Sequence, residues 1–405
     1  MQATAKRWAL SNAALPGRPG RFTVTVDGRH IAAVDEQPPH DVACAWDAGG
    51  RLVSPGFVDA HVHLDKALTS DRLGDSEALR DLSSKIRAIR EIKSGFSVED
   101  VQARATRALS MGLAHGTISV RSHCEADRHA GQRSVQGLQN AAQAMQGKVD
   151  LQMVAFPQEG WFDMPGTLED GACSYVAQAV EDGVRVVGGN VNAKLWPSDP
   201  QRQVDETFAM AMRHDCDIDY HLDNWDGPEA FTLPYVAQKT IDCGWQGRVT
   251  AGHVISLAHV DDAVAADTID LVKKAGLNVC VLPSRIRLTR VAELMEAGVN
   301  VVCGTDNLRD SFMRFGDADP LRAMLLLGQL TRQLSDTALE RLWSTMTGNA
   351  ARMLRLPDYG LLPGARADLV VLDAASAPEA ILLQSARLAV IKAGVQVAGP
   401  VPVTA

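Results

Sequence analysis

The chain has 405 residues, 46% hydrophobic and 22% charged, with aromatics at only 5%, so a large core is available and must rest on Ala, Val, Leu and Ile. Its net charge of −9 and lack of any Lys/Arg run argue against nucleic acid or an anionic membrane as partner. No apolar stretch reaches the ~18 residues of a membrane span. Met1–Leu10 lacks an apolar export signal, and seven scattered cysteines without a C-x-x-C pair point to reduced thiols in a cytoplasmic protein.

In chain order, Trp8–Ser11, Phe22–Val26 and His30–Val34 read as short strands, with Val26-Asp-Gly28 as a hairpin turn. β-Rich runs then recur at Gly56–His63, Gly116–Cys124, Leu151–Gln158 and Val184–Val191. Four more follow at Asp217–Asp223, Arg248–Val254, Asn278–Pro283 and Asn300–Asp306. Between them lie stretches of helical spacing such as Val101–Met111, Gln203–His214 and Asp261–Ala275. Gly112, Gly183, Gly276 and Gly298 stand where helix C-caps belong. One helix is expected near Asp336–Arg355, after which strands resume at Leu369–Leu372 and Leu388–Ile391, with Lys392-Ala-Gly394 as a turn.

Eight strands alternating with helices predict an α/β fold, a (β/α)8 TIM-type barrel over residues 57–355. The β pieces at 1–56 and 356–405 are each too small to hold a core. They are expected to fold together as one small composite β-sandwich built from both chain termini.

Active sites of such barrels lie at the carboxyl ends of the strands. Strand one ends at His61-Val-His63, whose i, i+2 spacing on a strand sends both imidazoles to one side. Strand five ends at His221-Leu-Asp223, strand six at His253 and strand eight at Asp306-Asn307. Imidazoles with one carboxylate suit Zn(II) or Fe(II). Singly, His253 or Asp306 reads better as a structural residue. The weight lies in coincidence, since four of the eleven histidines fall at three strand ends on one rim.

Pro55-Gly-Phe-Val-Asp-Ala-His61-Val-His63-Leu-Asp65, followed by His221, His253 and Asp306, resembles the amidohydrolase superfamily. Tyr359-Gly-Leu-Leu-Pro-Gly-Ala-Arg-Ala-Asp-Leu-Val-Val-Leu372 is similar to the segment that returns those enzymes to their β-sandwich, so the resemblance spans nearly the whole chain. Val154-Ala-Phe-Pro-Gln158-Glu-Gly is similar to the cytosine deaminase branch. His63-Leu-Asp-Lys66, Asp306-Asn-Leu-Arg-Asp310 and Asp217–His221 resemble the N-isopropylammelide amidohydrolase type within it.

The resemblance implies one divalent metal ion, Zn2+ or Fe2+, held by His61, His63, His221 and Asp306. His253 would contact the attacking water or the developing tetrahedral oxygen. Gln158 would donate and accept hydrogen bonds at the edge of a flat N-heterocyclic substrate, with Asn224 and Asn307 as further substrate-binding candidates. Lys66 would either polarise a ring carbonyl or pair with a nearby acid. Binuclear relatives carry a carboxylated lysine at the end of strand four. Here the nearest lysine, Lys194, falls beyond that strand, so a mononuclear site is expected.

One position departs from the pattern. Cytosine deaminases carry a proton-shuttling glutamate three residues after the strand-five histidine, where this chain has Asn224. An amide cannot do that acid–base work. Asp223 then either takes over the shuttle or orients a ligand from behind. Arg121, His123 and Glu125 read as a structural network, and Trp196 and Trp225 as loop anchors as readily as ring stackers. Residues 309–319 frame the mouth.

The expected enzyme hydrolyses a C–N bond of an amino-pyrimidine or amino-triazine type ring and releases ammonia or an amine, with Asp306 taking the water's proton. A hydrolase opening a cyclic amide, urea or lactone at the same site is the alternative within enzymes. A non-catalytic scaffold is the alternative outside them, and a homo-oligomer is compatible with either.

Overall fold

The computed structural model describes residues 7–37, 42, 44–74, 81–163, 171–192, 199–224, 227–229, 231–283 and 287–403. Lys194, Trp196 and Trp225 lie outside them. The barrel strands are β1 (Phe57–Val62), β2 (Thr117–Glu125), β3 (Asp150–Phe156), β4 (Val186–Val191), β5 (Asp217–Leu222), β6 (Val249–His253), β7 (Asn278–Val281) and β8 (Asn300–Cys303). They pair side by side in sequence order. Every ladder is parallel, as in the run from Val186↔Asp217 to Val191↔Leu222. Helices cover the outer face, so these strands are buried on both sides and read as Val-rich runs.

β8 stops at Cys303 rather than Asp306. Beyond it Gly304 crosses β1 so closely that a Cβ there would lie 2.5 Å from the His61 carbonyl oxygen. Only a residue without a side chain permits that approach. The Asp306 amide donates to the His61 carbonyl at 2.9 Å, and Val62 pairs with Asp306 across the seam.

Helices start at side-chain caps: Asp81 accepts from the Ser84 amide to open α1 (Leu82–Ser94), and Ser97 from the Asp100 amide to open α2 (Val98–Ala114). Gly112 is not a cap. It lies within α2, which continues to Ala114, and Gly116 with φ of 89° makes the turn into β2. Gly183, Gly276 and Gly298 adopt positive φ as expected. The single helix expected near 336–355 is two, Asp336–Thr345 and Gly348–Met353. The break falls where the Met346 carbonyl leaves the helix to accept the Val58 amide at 2.8 Å, tying this segment to the foot of β1.

The chain ends meet in one sheet. Val395–Ala398, Arg387–Lys392, Leu369–Leu372, Leu52–Pro55, Trp8–Leu15, Arg18–Asp27 and His30–Asp35 pair in that order, with Cys44–Asp47 also on Trp8–Leu15. The Ala14↔Leu52 bridge joins its two halves, which share one apolar cluster including Trp8, Leu10, Val24, Val371 and Ile391. The expected turns are present: Gly28 has φ of 59°, and Ala393 and Gly394 have φ of 49° and 79°. Lys392 reaches the Ile118 carbonyl and Asp150, at the starts of β2 and β3, so the sheet docks away from the carboxyl rim. Among the described residues no helix is long and apolar enough to cross a membrane.

Candidate active site

The rim is built on strained backbone. Asp223, His253, Val254 and Asp306 have φ of 48°, 71°, 41° and 61°. Such values in non-glycine residues concentrate where a fold over-determines a functional geometry. They turn the chain sharply at the ends of β5, β6 and β8.

Three imidazoles and one carboxylate converge there. His63 Nε2 and His221 Nε2 are 3.1 Å apart, and Asp306 Oδ1 lies 3.6 Å from His63 Nε2 and 3.8 Å from His61 Nε2. Tetrahedral ligands at ~2.1 Å from an ion lie roughly 3.4 Å from one another, so these separations suit a metal. His61 Nε2 is buried without a hydrogen-bond partner, as a donor atom awaiting an ion would be. Burial first, then the surrounding positive groups and rings, push all three imidazoles well below their ordinary pKa. Their lone pairs are thereby free for coordination. The residues fit a divalent ion.

Packing and hydrogen bonds aim these rings. Phe156 at the end of β3 stacks on His221 with centroids 4.3 Å apart. Asp59 accepts the His61 amide and both the amide and hydroxyl of Thr305, pinning β1 to the chain after β8. Burial raises the Asp59 carboxyl to about 6 against those bonds. His123 on β2 packs 4.1 Å from the His61 ring and belongs, with His61 and His63, to a cluster close enough to share an ion. Its Nε2 faces Asp219 at 3.4 Å, and Asp219 is in turn held by Arg121 at 2.9 Å. Arg121 and His123 thus share a network through Asp219, Glu125 pairs instead with Lys66 and Lys93, and His123 stands nearer the candidate ligands than the sequence implied. The i, i+2 run Arg121, His123, Glu125 was its signal.

A cavity of about 30 Å³ adjoins the ligands, walled by His253, Gln158, Lys66, Asn224 and Asn307. Asn190, Asn192, Ile86 and Phe312 also line it, and the sequence had not singled them out as site residues. Lys66 pairs with Glu125 at 2.7 Å and donates to Gln158 Oε1 at 3.1 Å. Burial works against the ammonium, but Glu125 and Asp65 outweigh it and raise Lys66 above its ordinary pKa. An ammonium only donates, so it fixes the amide of Gln158 with its oxygen toward Lys66 and its NH2 elsewhere. Asn307 Nδ2 donates to Asp310 at 2.7 Å, and Asn190 Nδ2 to the Gln158 carbonyl at 2.9 Å.

Asp223 does not line this cavity, whereas Asn224 does. The Asp223 carboxylate accepts the amides of Thr232 and Leu233 at 2.8 Å, holding the start of the Leu233–Asp242 helix. Its carbonyl takes the amide and hydroxyl of Ser256. Burial lifts its carboxyl to about 7 despite the bonds from Thr232 and Leu233. The carboxylate is thus turned to the start of that helix, and touches neither the cavity nor a candidate ligand.

Residues 45–398 match the model of the amidohydrolase family. The chain belongs to the amidohydrolase family. It is 31% identical to an N-isopropylammelide isopropyl amidohydrolase of Pseudomonas sp. (strain ADP) over 392 residues, covering 95% of each chain. It is also 31% identical to a pterin deaminase of Rhizobium rhizogenes over 354 residues, covering 83% of this chain and 78% of that one. Its fold superposes on a 5-methylcytosine deaminase from Klebsiella pneumoniae liganded with 5-fluorocytosine with a TM-score of 0.89 and 29% identity, covering 97% of both chains. This amidohydrolase is therefore an enzyme of C–N bonds on a TIM-type barrel, as the sequence led one to expect.

Proposed function

We propose that this amidohydrolase hydrolyses a C–N bond of an amino-pyrimidine or amino-triazine type ring and releases ammonia or an amine. The observation that carries the reading is the meeting of two sets at one cavity: His61, His63, His221 and Asp306 on one side, and a Gln158 amide oriented by Lys66 on the other. One divalent ion, Zn2+ or Fe2+, held by those four residues would supply Lewis acidity and lower the pKa of water toward neutrality.

The chain's own residues do the rest. Water adds to the ring carbon bearing the nitrogen, and Asp306 takes its proton. His253, beside His221 with centroids 4.9 Å apart, stabilises the oxygen that gains charge. As the C–N bond breaks, Asp306 returns the proton to the departing nitrogen, because it is the one carboxylic acid lining the cavity among the described residues. Gln158 presents N–H donors and Lys66 an ammonium to a carbonyl oxygen of the ring. Asn307, whose NH2 is turned to Asp310, presents its oxygen to a ring N–H. Asn224 contacts the ring without moving protons, and Asp223 positions the loop that carries Asn224.

Ile86 of α1 and Phe312 line the same cavity and offer apolar surface to the ring. The test is a screen of amino-substituted heterocycles that scores released ammonia or amine against ring-opened product, with metal content measured in parallel. Release at about one metal equivalent per chain supports the reading. Ring-opened product, or turnover retained after the metal is removed, overturns it.

A further inference from the structure

Outside the ligand set, the deepest concentration of charge lies beneath the cavity. Lys93 of α1 is fully buried. Its Nζ lies 2.5 Å from Glu125 Oε2, 2.5 Å from Asp127 Oδ2 and 2.7 Å from Glu159 Oε1. An ammonium has three donors, and three carboxylates take all of them.

Each carboxylate is tied to something that faces the cavity or shapes its wall. Glu125 ends β2 and grips Lys66 with its other oxygen. Asp127 accepts the amides of His129 and Ala130, setting the turn after β2. Glu159 follows Gln158 in the chain, and its second oxygen is held by Arg90, also of α1, at 2.6 Å. The same helix contributes Ile86 to the cavity wall. Lys93 thus joins three segments that are distant in sequence at one nitrogen atom.

We propose that Lys93 is a positioning residue for substrate recognition. It locks α1 to the ends of β2 and β3, and through Glu125 and Glu159 it sets Lys66 and Gln158 at the cavity. Lys66, Lys93 and Arg90 face Glu125, Asp127 and Glu159, with the buried Asp65 beside Glu125, so loss of the lysine leaves buried carboxylates uncompensated. Lys93 touches neither the ligand set nor the cavity. Its loss therefore moves the recognition side and leaves the metal side in place.

The proposal rests on Lys66 and Gln158 binding substrate, and the experiment separates the two ideas. Lys93→Met raises KM about 10–100-fold with kcat within about threefold, the scale of lost outer-shell support. Arg90→Ala, which loosens Glu159 from a partly exposed arm and keeps the lysine, raises KM in the same direction by a smaller factor, and keeps the test open if Lys93→Met does not fold. Gln158→Ala is the reference. If Gln158→Ala raises KM while Lys93→Met and Arg90→Ala keep the wild-type KM, the Lys93 proposal is overturned. If Gln158→Ala leaves KM unchanged, the reading of the recognition side fails instead. Amide hydrogen exchange needs no substrate: faster exchange across 82–94 and 156–160 in Arg90→Ala supports the lock, and unchanged protection there sinks it.

Discussion

In the terminal sheet, Leu10, Val24, Val371 and Ile391 are fully buried in one apolar cluster, with the buried charges Arg387 and Lys392 at its junction with the barrel. At the carboxyl rim of the barrel, His61, Asp65, Lys66, Lys93 and Glu125 are buried just as deeply. Apolar burial stabilises by removing surface from water, whereas buried charge is at best repaid by its partners. Positive φ occurs in both regions, at Asn12 and Ala393 of the sheet and at Asp223, His253, Val254 and Asp306 of the rim, but only at the rim does it sit at the strand ends that carry the candidate site. The sheet supplies stability and the rim spends it on geometry, a division familiar from enzymes that hold activity at the expense of stability.

The comparison can be broken in order of effect. His61→Ala is expected to lower turnover by about 10³-fold or more while leaving the fold intact, since a metal supplies several kcal/mol to such a reaction. Metal analysis and circular dichroism check it, and full activity without metal would refute the site. Ile391→Ala in the sheet core should cost about 2–4 kcal/mol in urea unfolding and leave kcat unchanged.

A pH effect should come next. Burial works to raise the Glu125 carboxyl, but Lys66 and Lys93 outweigh it and hold it down to about 2, below its ordinary 4.5. A depressed carboxyl contributes stability above its unfolded value that is lost as pH falls toward the folded one. Urea midpoints should therefore decline between about pH 4.5 and 2, and Glu125→Gln should flatten that decline. The smallest effect is expected at Ala393, whose φ of 49° is costly for a residue with a Cβ. Ala393→Gly should stabilise by about 1 kcal/mol in thermal melts without touching activity.

Much of this was legible because parallel barrel strands buried on both faces leave Val-rich runs in the sequence, several of them preceded by glycines with positive φ such as Gly183, Gly276 and Gly298. The candidate ligand pair was legible because strand periodicity aligns His61 with His63. Three things were hidden for physical reasons. α1 carries charges on most of its surface, and its apolar positions Ile86, Ile89 and Ile92 did not stand out from them. The Lys93 cage joins residues 32 to 66 positions apart, and no local pattern records such a contact. Asp223 was undecidable because its residue type suits a shuttle and a helix start equally. Only the amides of Thr232 and Leu233 show which way the carboxylate turns. Gly112 misled because the helix runs past it to Ala114, and the turn is made by Gly116 instead.

The seam between β8 and β1 gives the barrel the character of a hoop with a clasp. Elsewhere neighbouring staves are glued along ladders, but here the closure is the Val62–Asp306 bridge, the Asp306 amide on the His61 carbonyl, and Gly304 slotted against His61. The residues that fasten the hoop are also residues that would grip the ion. An ion held by His61 and Asp306 would therefore sit across the same joint that the backbone closes, so the cylinder's closure sets the spacing of two of its candidate ligands.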